Sequence, residues 1–174
     1  TERGICYSLS TNPTIANGKF IDNNFYSDLG EFTITVKNLS AGTKYYAKAY
    51  ATNSYGTAYG EEVTFTTLPA TPAIVTTNSI YSITQNSAYC SGNISDDGGA
   101  TVTERGFCYS TSTSSPTISS SKVSSGTGIG SFYTNITQLS SGTTYYVRAY
   151  SVNKAGVSYG NTLSFKTQSA TIPS

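Results

Sequence analysis

The chain has 174 residues, only 11% of them charged against roughly 25% in an average soluble protein, and its ten basic and nine acidic side chains nearly cancel. The charges are scattered rather than gathered into a basic stripe or an acidic tail, so nucleic acid is not an expected partner. His, Trp and Met are absent, which removes the commonest general base and metal ligand, and no apolar run approaches the ~20 residues that span a bilayer.

Thr, Ser, Gly, Asn and 15 Tyr fill the chain, with β-branched residues in short runs between Gly and Asn turns and no long amphipathic helix pattern. The expected class is all-β. The opening string TERGICYS, residues 1–8, returns at 103–110 as TERGFCYS, with seven of eight positions identical. LSAGTKYYAKAY at 39–50 then matches LSSGTTYYVRAY at 139–150 at eight of twelve. Asn53, Gly56, Tyr59, Gly60 and Phe65 recur as Asn153, Gly156, Tyr159, Gly160 and Phe165. The unit is therefore about 100 residues long.

Residues 68–102 precede the second copy and have no counterpart before the first. The expected organisation is a partial repeat over 1–67, a complete repeat over 68–168 and, at 169–174, the start of a linker to a further unit. On this reading residue 1 falls inside a domain, two strands into it. In the complete unit, strands are predicted over 73–83, 87–94, 102–109, 131–137, 143–152 and 157–167, with a Ser- and Gly-rich loop after the third. Ala88, Cys90, Gly92 and Ile94 alternate with Tyr89, Ser91 and Asn93, the period of a half-buried strand. SDDGG at 95–99 and NKAG at 153–156 read as turns. Six or seven short strands so punctuated predict a β-sandwich.

The sequence resembles a known family at this point. Leu139, Thr143, Tyr145, Val147, Ala149, Ser151 and Asn153 fall where fibronectin type III domains carry their Leu, Thr, Tyr, apolar, apolar, small and Asn pattern, and the Leu139–Tyr145 and Leu39–Tyr45 spacings look like that fold's tyrosine corner. The longer phrase running from GGATVTERGFCYS to the YG of Tyr159 and Gly160 resembles a fibronectin type III-like repeat of Bacteroidota surface and secreted proteins. The resemblance implies tandem immunoglobulin-like sandwiches, the first lacking its two N-terminal strands, in an extracellular or cell-surface setting. The second-strand Trp of animal modules and an RGD tripeptide are both missing, so integrin binding is not implied.

Strand alternation turns Tyr145, Val147 and Ala149 inward and therefore predicts an outward face of Tyr146, Arg148 and Tyr150, repeated as Tyr46, Lys48 and Tyr50. A cation between two aromatics is a candidate surface for sugar rings or a partner protein, although aromatics also steady exposed sheets by packing across strands. Asp96 and Asp97 before two glycines read as a turn rather than a Ca²⁺ loop, which needs six to eight oxygens. Glu104 and Arg105 point to opposite faces, with Arg105 placed for loop carbonyls and Glu104 without the second carboxylate that hydrolysis would need. Cys90 faces the core. Cys108 meets it in a disulfide if it too points inward; if Phe107 and Tyr109 take that side, both cysteines are buried thiols.

No catalytic residue, cofactor or metal is expected. The leading expectation is a stalk, spacer or adhesive fibre whose partners are neighbouring repeats. Two others stand beside it: a filament in which other copies of the chain complete the partial repeat by strand addition, and a module that binds surface glycans beside a secreted enzyme.

Overall fold

The computed structural model describes residues 2–23 and 30–170. Among them there is no helix, and every paired strand is antiparallel. The chain divides into unit 1, Thr1–Pro69, and unit 2, Ala70–Ser174.

Unit 1 contains β1 (Glu2–Ser8), β2 (Gly18–Ile21), β3 (Lys44–Asn53), β4 (Gly56–Tyr59) and β5 (Val63–Thr66) in one sheet of order β2-β1-β3-β4, with β5 also on β3. The hairpin from β3 to β4 is set locally: the Asn53 carboxamide oxygen accepts the Tyr55 amide at 2.9 Å, and Gly56 takes a φ of 141° that a side chain would resist.

Unit 2 contains β6 (Ile74–Tyr81), β7 (Ala88–Asp96), β8 (Glu104–Ser110), β9 (Ser121–Ser124), β10 (Gly130–Ile136), β11 (Thr144–Asn153), β12 (Gly156–Tyr159) and β13 (Leu163–Lys166). One sheet has the order β10-β7-β6; the other runs β12-β11-β8-β9, with β13 on β11. Ala88, Cys90 and Ile94 of the first sheet pack with Phe107, Val147, Ala149 and Phe165 of the second, and the Phe107 and Phe132 rings lie 5.2 Å apart. Packing at Gly92 is so tight that a Cβ would sit 2.9 Å from the ring of Phe132, its cross-strand neighbour, and 3.2 Å from the Ala149 methyl of the facing sheet. Unit 2 is a sandwich of two antiparallel sheets, all-β as expected.

Two predicted features differ. The Ser- and Gly-rich loop contains a strand, β9, whose SKVS sequence offers one apolar side chain and so no readable alternation. The last predicted strand is two, because at Gly160 and Asn161 the chain breaks to bond across the sandwich: the Asn161 side-chain oxygen accepts the Thr77 amide at 3.1 Å.

Unit 1 repeats β8, β9, β11, β12 and β13 of this sandwich as β1 to β5. Residues 30–36, the counterpart of β10, form no strand: β10 pairs with β7, and no equivalent of β7 lies among the described residues. The expected linker over 169–174 falls mostly on 171–174, outside the described residues.

Candidate binding face

Alternation along β11 holds: Tyr145, Val147 and Ala149 are buried against the core, while Tyr146 and Arg148 are half-buried on the outer side. Tyr150 lies on that outer side too, but it is 0% exposed, and Tyr50 is 2% exposed. This corrects the expectation that both rings face solvent. The cover comes from β8 and β9. The Tyr150 hydroxyl donates to Glu104 Oε1 at 2.5 Å, Lys122 Nζ bonds the same oxygen at 2.8 Å, and the ammonium sits 5.5 Å from the ring centre. Unit 1 builds the same group from Tyr50, Glu2 and Lys19, at 2.6 and 2.7 Å. The lysine and tyrosine bonds hold Glu104 and Glu2 below the usual carboxylate value, and burial followed by the glutamate bond pushes both tyrosines up. This Tyr–Glu–Lys group was not read from the sequence, although the residues stand at matching places in the two repeats.

The cations of the predicted face are also engaged within their own units. Arg148 donates through Nε to the Gly160 carbonyl at 3.1 Å and stacks 4.5 Å over the Tyr159 ring, whose hydroxyl accepts the Ile118 amide at 3.1 Å. Lys48 Nζ donates to the Asn12 side-chain oxygen at 3.1 Å. Tyr46 is half-buried beside Lys44, whose ammonium lies 5.1 Å from its ring centre. The six predicted residues therefore do not form an open aromatic-cation-aromatic stripe.

The Cys90–Cys108 disulfide is likewise corrected. Both cysteines are buried thiols, as is Cys6. Phe107 takes the core side of β8, which puts Cys108 on the opposite side, under the proline loop, where its thiol meets the Pro116 carbonyl at 3.3 Å. Cys6 repeats this with Pro13 at 3.5 Å. Burial raises the Cys108 thiol to about 11 and Cys90 to about 12, so neither is a ready nucleophile.

Arg105 donates to the carbonyls of Gly128 at 3.1 Å and Ile129 at 2.8 Å and lies 5.0 Å over the Phe132 ring, tying the loop before β10 to the sandwich end. Arg3 uses Asp22 for part of this work, at 2.8 Å, and lies 4.9 Å over Phe32. Asp96 and Asp97 accept the amides of Gly98 and Gly99 at 2.7 and 2.9 Å, and both glycines have positive φ, so these carboxylates are spent on their turn. Both tyrosine corners are present, Tyr145 accepting the Ser140 amide and Tyr45 the Ser40 amide, each at 2.9 Å. Among the described residues no three Cys, Asp or Glu side chains gather into a metal-binding group, and no helix is long and apolar enough to cross a membrane.

Two surfaces escaped the sequence reading. The outer side of the β10-β7-β6 sheet carries exposed Tyr133 and the cross-strand pair Tyr81 and Tyr89, stacked at 5.7 Å. The inner side of β3 and β5 in unit 1 leaves Ala49, Val63 and Phe65 exposed. Tyr89 could have been found as the outward member of the β7 alternation.

No protein-family model matches the chain, and no curated protein matches it. Among solved structures it is similar to the FN1–FN3 domains of chicken CNTN1, at 15% identity and a TM-score of 0.47, over 96% of this chain and 56% of that one. It is also similar to domains A168–A170 of titin, at 16% identity and a TM-score of 0.43, over 94% of this chain and 54% of the other. The sensor domain of the anti-sigma factor RsgI4 from Pseudobacteroides cellulosolvens matches at 19% identity and a TM-score of 0.42, over 57% of this chain and 98% of that domain. The chain thus spans a little over half the length of these two multidomain chains.

Proposed function

We propose that the chain is a non-catalytic repeat segment of a cell-surface or secreted protein, a spacer or stalk whose partners are its neighbouring repeats. One observation carries the reading. The polar groups that recur in both units, the Tyr–Glu–Lys group, the tyrosine corner and the thiol-to-proline-carbonyl bond, are each bonded inside their own unit. What is repeated is scaffold, and scaffold that serves a spacer needs no exposed reactive group. The test is mechanical and chemical together. Stretched in optical tweezers, the intact chain is expected to lose unit 2 in one step releasing roughly 3.3–3.6 Å of contour per residue. A panel of hydrolase substrates is expected to show no turnover, and turnover abolished by Glu104→Gln would overturn the proposal.

A glycan-binding role has one supporting observation, and it lies away from the predicted face: Tyr81, Tyr89 and Tyr133 share an uncharged outer sheet surface with Ser79, Ser91, Asn93 and Ser131. Stacked rings beside hydroxyls and amides suit neutral sugars. A glycan array on the intact chain and on Tyr89→Ala tests this reading; an unchanged pattern refutes it.

A further inference from the structure

We infer that the outer edge of β10 in unit 2 is an interaction surface for a second copy of this chain, the two β10 strands pairing antiparallel about a two-fold axis at Tyr133. Such a contact would join spacers side by side. β10 has seven residues, GSFYTNI, with no charge and no proline, and it keeps an unbroken register on β7 from Gly130 to Ile136. An edge of that kind accepts a further strand unless it is blocked. The other edges of unit 2 are blocked. β9 has four residues and carries Lys122, and the chain breaks at Gly160 and Asn161 between β12 and β13. β6 shifts register between Ile74 and Val75 and again between Thr77 and Ser79, and its Thr77 amide is taken by Asn161.

One bond fixes which way the main chain of β10 faces. Ser125, just after β9, donates its hydroxyl to the Tyr133 carbonyl at 2.7 Å, so that carbonyl points away from β7. In an antiparallel strand the amide and carbonyl of one residue point the same way and successive residues alternate, so Ser131, Tyr133 and Asn135 all turn theirs to the edge. Among the described strands β10 pairs with β7 alone, and the Tyr133 carbonyl keeps a second lone pair beside Ser125.

The side chains choose the partner. A two-fold axis at Tyr133 sets this residue against its own copy and Ser131 against Asn135. Tyr133 is 71% exposed, and the same face already carries one aromatic pair across strands, Tyr81 and Tyr89, stacked at 5.7 Å. Asn135 Oδ1 is buried with no hydrogen-bond partner among the described residues, while Ser131 Oγ bonds the side-chain oxygen of Asn93, opposite it on β7, at 3.2 Å. Turning the Asn93 carboxamide over makes it the donor to Ser131 and releases the hydroxyl proton for Asn135 of the other copy. The serine-to-asparagine pairing inside the sheet is thus repeated across the seam, where it supplies the donor that Asn135 lacks.

The test uses the full chain, in sedimentation velocity over a concentration series and in cysteine cross-linking. A concentration-dependent dimer is expected, and Tyr133→Lys should raise its dissociation constant by about tenfold or more, because two ammonium groups would replace an aromatic pair at the axis. The ring is exposed, so the melting temperature of unit 2 should not move. The register has its own readout. Facing residues of such a pair lie about 5.5 Å apart at Cα, within reach of a disulfide. Under mild oxidation Tyr133→Cys should therefore link into dimers by itself, Ser131→Cys and Asn135→Cys should each stay single, and an equal mixture of those two should link. The native thiols are buried and stay out of the reaction. A chain that remains monomeric throughout the series would overturn the inference, including one that binds neutral sugars through Tyr133. So would dimers indifferent to Tyr133→Lys, or cross-linking without regard to position, since the contact would then lie elsewhere.

Discussion

Placing one methyl group at matched positions in the two units should give opposite results. In Gly160→Ala the new Cβ would lie 2.6 Å from both the nitrogen and the Oγ1 of Thr77 and 3.0 Å from the Thr76 carbonyl carbon. Gly160 is not in the positive-φ region, so the strain is one of space alone. Because the obstacle is mainly β6 backbone, the strand has to move outward by several tenths of an ångström or more. That movement stretches the Ala149–Thr77 bond of 2.9 Å and the Thr77–Asn161 bond of 3.1 Å. Overpacking of this kind costs about 1–3 kcal/mol and a weakened bond about 0.5–1.5 kcal/mol, so a combined loss of about 2–4 kcal/mol is expected. For a unit of this size that lowers Tm by on the order of 10–20 °C. In Gly60→Ala the methyl would meet the Ala49 Cβ at 3.6 Å, an ordinary contact, and the change should stay within about 0.5 kcal/mol. The assay is thermal unfolding of the full chain, with the two units followed separately by their amide signals. Equal losses at the two positions would refute the claim that β6 is what makes Gly160 obligatory.

Four further outcomes follow from the same geometry. Tyr150→Phe removes a hydrogen bond to a charged acceptor while leaving Lys122 on Glu104, and should lower unit 2 stability by about 1.5 kcal/mol in urea titrations. Glu104 has a folded value below the ordinary 4.5, so its contribution is complete above that pH and is lost as pH falls through the lowered value; Glu104→Gln should flatten the acid limb of the urea-midpoint profile. The buried tyrosines and thiols act in the other direction. Their folded values are raised, so stability is complete below the unfolded values of 9 for thiol and 10 for phenol and falls above them; Cys108→Ala and Tyr150→Phe should each soften that alkaline loss. Mass analysis without reductant should find three free thiols, slow to alkylate until the chain is unfolded.

Much of the sandwich was legible because its cues are local. The strand formers, the Asn-to-Gly hairpins and the Tyr five residues after the amide it receives all act within a few positions, so the tyrosine corners and the β3–β4 and β11–β12 hairpins form alike in both units. The strand β9 was not legible, since four residues with one valine take their structure from β8 beside them. The same strand explains the error at Tyr150. Alternation correctly placed this ring on the outer side of its sheet, but burial there depends on Glu104 and on Lys122 of β9. Period two assigns a side chain to a face; it does not say whether that face is covered.

The cysteines and the paired alanines make the same point from opposite directions. For Cys108, alternation left two phasings open, and a long-range preference chose between them: the sandwich interior takes the larger ring of Phe107, which buries more apolar surface against Phe132 than a thiol would, and the thiol is left to the Pro116 loop. Ala49 and Ala149 share the tyrosine that follows and the same backbone pairing, yet one is exposed and the other fully buried. Nothing within the strand can account for that difference. It comes from β6, which lies 72 residues before Ala149 in the chain and supplies the Thr77 hydroxyl. A residue's fitness for a core is therefore written locally, as the small side chain of Ala49 and the bare backbone of Gly60 show, while its burial is decided by a partner elsewhere.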